Sequence, residues 1–121
     1  MAESNLRKLF DKAIVSGGNT HTIDDIEAGI ALGIYQFWEA DDCCAVTELV
    51  RYPRVNKLHI FIAAGNFNSI CEKLLPQAKA FAEKNGCVSM TTIARKGFLR
   101  RIPQYGFKPK YVAFELDFER N

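Results

Sequence analysis

Lys57-Leu58-His59-Ile60-Phe61-Ile62-Ala63-Ala64, followed at once by Gly65-Asn66-Phe67-Asn68-Ser69, is the best-defined strand pattern in the chain. Residues 57–64 are apolar on both alternating faces, the pattern of a strand covered on both sides and therefore central in a sheet. The residues after it are loop and cap material. Beyond them Ile70, Leu74, Leu75, Ala78, Phe81 and Ala82 follow helical spacing as far as Asn85-Gly86. Pro76 lacks a backbone N–H and fits a first helical turn, so it predicts the start of the main helix, with residues 67–74 as a separate short turn. A central strand that feeds the longest helix of the chain indicates an α/β domain.

Toward the N-terminus, Tyr35-Gln36-Phe37-Trp38, Glu39-Ala40-Asp41-Asp42 and the run from Cys44 to Tyr52 read as strand, acidic turn and strand, a hairpin ended by Pro53. Thr22-Ile23-Asp24-Asp25 is a capping-box variant that opens a helix running to about Leu32, with Gly33 as its stop. Residues 4–15 place Leu6, Leu9, Phe10 and Ile14 on one helical face before Ser16-Gly17-Gly18-Asn19. Toward the C-terminus, Cys87 to Ile93 predicts a strand and Gly97 to Tyr105 a short basic helix closed by Gly106. Lys110 to Phe118 predicts a last strand that turns Val112, Phe114, Leu116 and Phe118 inward. The order is α, α, β, β, β, α, β, α, β, a mixed sheet with helices on both faces. The chain of 121 residues fits one domain, with 1–19 as N-terminal helix and loop and 20–118 as core.

Hydrophobic residues at 48% and charged residues at 25% are the balance of a globular protein. The longest apolar stretch, Leu58 to Gly65, is far short of the ~20 residues a membrane helix needs, and Met1-Ala2-Glu3-Ser4-Asn5 opens polar with no apolar run behind it. The expected setting is a host cytoplasm or a particle assembled there, without a membrane. Cys43, Cys44, Cys71 and Cys87 form no C-x-x-C pair and stand beside only two histidines, His21 and His59, so no metal site is expected and the thiols read as small buried hydrophobes. The net charge of +2 hides an asymmetry. Residues 21–50 hold Asp24, Asp25, Glu27, Glu39, Asp41, Asp42 and Glu48 with no Lys or Arg, while residues 95–110 hold Arg95, Lys96, Arg100, Arg101, Lys108 and Lys110 with no acid. The basic stretch suits a phosphate-bearing ligand or an acidic protein face, or is a solvated helix face.

The element order over residues 20–118 resembles the fold of the GNAT (GCN5-related) N-acetyltransferases. Trp38, Ala45-Val46-Thr47-Glu48, Tyr52-Pro53-Arg54, Leu58-His59-Ile60-Phe61, Ala64-Gly65, Gly97-Phe98, Arg100 and Gly106-Phe107 are together similar to short members encoded by phages and prophages. The resemblance implies an acetyl-CoA site. In that family a glycine-rich loop after the central strand cradles the pyrophosphate at a helix N-terminus. The same place here is Ala64-Gly65-Asn66, with a single glycine, and Arg95, Arg100 and Arg101 lie beside the expected path of the cofactor. The tyrosine that protonates the departing thiolate in catalytic members would fall at Ile102, while Tyr105 adjoins Gly106 in a packing or capping position. Glu48 or His59 would serve as general base if burial tunes it; otherwise Glu48 faces solvent or pairs with an arginine, and His59 is a hydrogen-bonded core residue.

Two functions follow. One is a non-enzymatic phage protein that keeps the fold as a virion, assembly or host-interaction module, with a phage structural or host protein as partner. The other is an acetyl-CoA-dependent N-acetyltransferase acting on an amine of a protein or small molecule. Nucleic acid is the less expected partner, because apart from Phe98, Tyr105 and Phe107, of which Phe98 and Phe107 read as core, aromatic residues do not interleave with the basic cluster. Tyr35 and Trp38 read as core residues or as an aromatic anchor for self-association.

Overall fold

The structure, a computed structural model, describes Lys8, Asp11, Ile14, residues 20–94 and residues 100–118. Lys8, Asp11 and Ile14 are helical and Ile14 is buried, as the apolar spacing of residues 4–15 requires. Helix α1 (Ile23–Ala31) begins at a reciprocal capping box: Asp25 N–H donates to Thr22 Oγ1 at 3.1 Å and Thr22 N–H donates to Asp25 Oδ2 at 2.8 Å. It ends at Gly33, whose φ of 77° is open to glycine at no steric cost.

Strands β1 (Tyr35–Ala40), β2 (Cys43–Arg51), β3 (Asn56–Gly65) and β4 (Cys87–Thr92) form one sheet in the order β1-β2-β3-β4. The first three are antiparallel neighbours, and β4 runs parallel to β3. The sequence reading had Glu39 and Ala40 in the turn. Both belong to β1, paired with Cys44 and Cys43, so only Asp41 and Asp42 make the connection. The central strand is where the apolar run put it, hydrogen-bonded on both edges and packed on both faces.

Between β3 and α2 (Leu75–Lys84) the chain makes a short turn of α-helix (Phe67–Ser69) and a π-turn (Ile70–Leu74). Leu75 N–H bonds Ile70 O, one residue wider than an α-helix allows. The widening precedes Pro76, whose ring would crowd the carbonyl four residues back in a regular helix. The sequence break at Pro76 is thus a change of helical pitch within a continuous run.

The sheet separates two cores. On one face Ile14 and Ile26 cover Cys44, Val46, Ile62 and Ala64; on the other Leu74, Ala78 and Ala82 cover Cys43, Ala45 and Leu58. Adjacent Cys43 and Cys44 therefore point to opposite sides, and all four cysteines are free. Trp38 packs edge-on against Phe81 at 5.7 Å, and Tyr35 packs on Phe61 at 4.9 Å, so both aromatics belong to the cores.

The last strand expected from the sequence is not formed. Residues 110–118 pair with no strand, and Tyr111, Val112, Phe114, Leu116 and Phe118 are exposed. The alternation is that of a strand, but alternation alone does not supply an edge to pair with. Of the basic helix expected from Gly97 to Tyr105, residues 97–99 lie outside the described residues, and Ile102–Tyr105 form a 3-10 turn closed by Gly106 at φ 97°. Among the described residues no helix is long and apolar enough to cross a membrane.

Candidate active site

Register decides which side chains meet. Tyr35 on β1 faces Glu48 on β2, Glu48 faces His59 on β3, and His59 faces Thr91 on β4. These four polar groups form one row across the sheet, on the side covered by α1, with neighbours at the ~4.5–5.5 Å Cβ spacing of cross-strand pairs. The sequence offered Glu48 and His59 as separate alternatives for a base, and the fold brings them side by side. His59 Nδ1 is hydrogen-bonded to Thr91 Oγ1 at 2.9 Å, which leaves Nε2 as the second ring nitrogen.

Electrostatics in the row are uneven. Burial holds the His59 imidazole below its usual pKa, against the opposite pull of the Glu48 charge and a hydrogen bond with Thr91, so the neutral ring is favoured. Burial, then Glu48 and Asp25, push the Tyr35 phenol up. Tyr35 is held by its fit against α1: a Cβ on Gly29 would overlap the ring, so the helix carries glycine where the aromatic comes closest.

One rung beyond His59 the sheet splits. The β3–β4 ladder ends at Ile60 opposite Thr92, while β3 continues to Gly65. Among the described residues no strand pairs with the β4-side edge of Phe61–Gly65. At the same place β3 carries a bulge: Val46 pairs with Ile62 and Thr47 with Ile60, which leaves Phe61 without a partner on β2. The bulge also turns Phe61 onto the α1 face, where its ring packs against His21 and Tyr35. The sequence did not reveal the bulge, because both flanking residues are apolar and the alternation shows no break.

The loop at the end of β3 is built tightly. Gly65, at φ 104°, lies so close to Asp42 and Cys43 that a Cβ would overlap the Asp42 carbonyl. Asn66 N–H donates to that carbonyl at 3.0 Å, and Asn66 Oδ1 accepts from Ser69 N–H at 3.0 Å as the helix cap. Ser69 Oγ donates to Asp42 Oδ2 at 2.7 Å, with Lys73 Nζ at 4.0 Å from Oδ1. The Ser69 hydroxyl above all, with Lys73 assisting, holds the Asp42 carboxyl below its usual range. Ala64 is buried in the α1-side core, so its side chain has a packing role.

Of the basic residues, Arg101 is brought to this loop: its guanidinium stacks 4.0 Å over the Phe67 ring, and Tyr105 meets the same ring edge-on at 5.9 Å. Arg100 is exposed, and Arg95 lies outside the described residues. Tyr105 thus packs, as its place beside Gly106 suggested, and Ile102 occupies the position where the resemblance would put a tyrosine. Burial raises the thiol of each cysteine, that of Cys44 to about 11, so none is poised as a nucleophile. No group of three or more His, Cys, Asp or Glu among the described residues is placed to hold a metal ion.

No model of a known protein family matches the sequence, and no curated protein is similar to it in sequence. Solved structures are similar in fold. A predicted acetyltransferase from Clostridium acetobutylicum, solved with acetyl-CoA, superposes with a TM-score of 0.69 at 17% identity, covering 94% of this chain and 88% of that one. Glucosamine-6-phosphate N-acetyltransferase from Arabidopsis thaliana gives a TM-score of 0.62 at 13% identity, over 93% of this chain and 91% of that one. An acetyltransferase from Trypanosoma brucei gives 0.60 at 13%, over 96% and 95%. At these identities the likeness is one of fold: the chain has a GNAT-like mixed sheet with helices on both faces.

Proposed function

We propose that this chain is an acetyl-CoA-dependent N-acetyltransferase acting on a primary amine. The observation that carries the reading is the split in the sheet one rung beyond His59, with the bulge at Phe61 beside it. A strand edge without a partner presents backbone N–H and C=O groups to any extended chain that carries amides of its own, as the pantetheine arm of CoA does. The Phe61–Gly65 edge would hold that arm, and Arg101, stacked over Phe67 in the first helical turn after β3, would meet the phosphates as a charge-assisted donor.

Bound there, acetyl-CoA supplies an activated acyl thioester. What the chain must supply is an acceptor amine in its free-base form, because an ammonium has no lone pair for attack. His59 suits that task, since burial favours its neutral ring at pH 7 and Thr91 fixes one ring nitrogen. Glu48, directly opposite, stabilises the imidazolium once the proton has moved. The structural neighbours named as acetyltransferases support this reading at the level of fold.

The other expectation, a non-catalytic component of a phage particle or host complex, requires neither acetyl-CoA binding nor turnover, and the comparisons bring nothing in its favour. The deciding experiment is to incubate the purified chain with acetyl-CoA and a panel of primary amines and follow release of the CoA thiol. Amine-dependent release that is lost in His59→Ala supports the proposal. Release no faster than without protein, across the panel, overturns it.

A further inference from the structure

We infer that residues 110–118 form an intermolecular strand, adding to the free edge of β4 in a second copy of this chain and receiving the partner's equivalent strand in return. Three observations carry this. First, the segment has the period of a strand buried on one face but is paired with none: Val112, Phe114, Leu116 and Phe118 are 76%, 92%, 80% and 84% exposed. Second, β4 is an edge strand, and among the described residues no strand pairs with its outer side. Its residues Cys87, Val88, Ser89, Met90, Thr91 and Thr92 include no charge and no proline, the devices by which natural edge strands are kept from pairing. Val88 on β4 and Ile93 just past it are 64% and 78% exposed, apolar side chains left uncovered beside this edge.

Third, the approach to the segment is anchored just past the end of β3. The 3-10 turn before it docks through Arg101 and Tyr105 on Phe67, beside the β1–β2 turn that receives Asn66 N–H. A strand and an unprotected edge on one chain are self-complementary, so two copies close with two-fold symmetry and leave neither edge exposed. The area suffices. Phe114 and Phe118 share one face and each bury on the order of 150–250 Å² when covered, so two exchanged strands, with Val112 and Leu116 and the surfaces they cover, reach the ~1,000 Å² of a specific interface. The Glu48–His59–Thr91 row adjoins the same edge through Thr91, so the partner's strand would border the candidate site.

The test is sedimentation of the full chain between about 1 and 100 μM, with hydrogen exchange measured across the same range. Dimers are expected, dissociating on dilution, with exchange protection at residues 88–92 and 110–118 that rises with concentration. Phe114→Lys with Phe118→Lys should give a monomer with unchanged far-UV circular dichroism. A wild-type monomer throughout, or protection that does not depend on concentration because the segment pairs within its own chain, overturns the inference. So does a folded double variant that remains dimeric. The exchange experiment needs no substitution and decides the matter even if the variant fails to fold.

Discussion

Glu48 and His59 stand directly opposite each other on β2 and β3, with Thr91 completing the line on β4 at 2.9 Å from His59 Nδ1. The carboxylate works against burial in setting the imidazole's proton affinity. The two candidate groups are thereby fixed by strand register, on rigid elements, next to the point where the sheet opens.

Removing either member has a distinct consequence. His59→Ala should lower kcat/KM for the acceptor amine by about 10²–10⁴, the range of a positioned general base. Glu48→Gln should cost less, about tenfold, and move the acid limb of the pH profile to lower pH, because the charge that raises the His59 pKa is gone. An unmoved acid limb would show that Glu48 does not act through His59.

The same histidine links stability to pH. Its folded-state pKa lies below the ordinary value near 6.5 because burial disfavours the charged ring. Below that ordinary value the unfolded chain binds a proton that the folded chain resists, so stability present above it is lost as pH falls toward the folded-state pKa. His59→Gln should flatten this part of the curve in urea titrations between about pH 7 and pH 5. An unchanged slope would place the acid sensitivity elsewhere.

Thr47, 1% exposed, accepts from Trp38 Nε1 at 3.0 Å and donates to Gln36 Oε1 at 2.9 Å. Thr47→Val keeps the shape and removes both bonds, leaving the indole N–H without its partner. The expected loss is about 1–3 kcal/mol in urea unfolding, the cost of an unsatisfied group taken out of water. A neutral result would mean that water reaches Trp38.

Gly29→Ala sets two effects against each other. Alanine in a helix interior is favoured over glycine by about 1 kcal/mol, but the new methyl would overlap the Tyr35 ring, itself packed on Phe61. Overpacking of this kind costs about 1–3 kcal/mol, so a net loss of stability is expected, reversed in Gly29→Ala combined with Tyr35→Leu. A stabilised single variant would contradict the contact.

Much of the scaffold was legible in the sequence, for identifiable reasons. Thr22 and Asp25 announce a helix start by chemistry that operates over one turn, Gly33 and Gly106 mark stops by a backbone conformation open to glycine, and residues 57–64 are too apolar to lie anywhere but the middle of a sheet. Relations between elements were less legible. Glu48 and His59 were each visible as candidates, but their adjacency depends on register, and the register shifts at a bulge that Phe61 and Ile62 conceal by both being apolar. The alternation at 110–118 predicted a strand that the chain does not form, because an alternating pattern carries no information about which edge would receive it. Arg101 reaches the β3 loop through Phe67, a contact that no spacing along the chain encodes.

An amide-resolved NMR titration of the labelled chain with acetyl-CoA reads out whether the cofactor arm lies along the split edge of β3. Saturable shifts are expected, concentrated at Phe61–Gly65 and His59, with affinity about tenfold weaker in Arg101→Ala, the worth of one charge-assisted contact. No binding at millimolar acetyl-CoA, or shifts confined to residues away from the β3 edge, would contradict it.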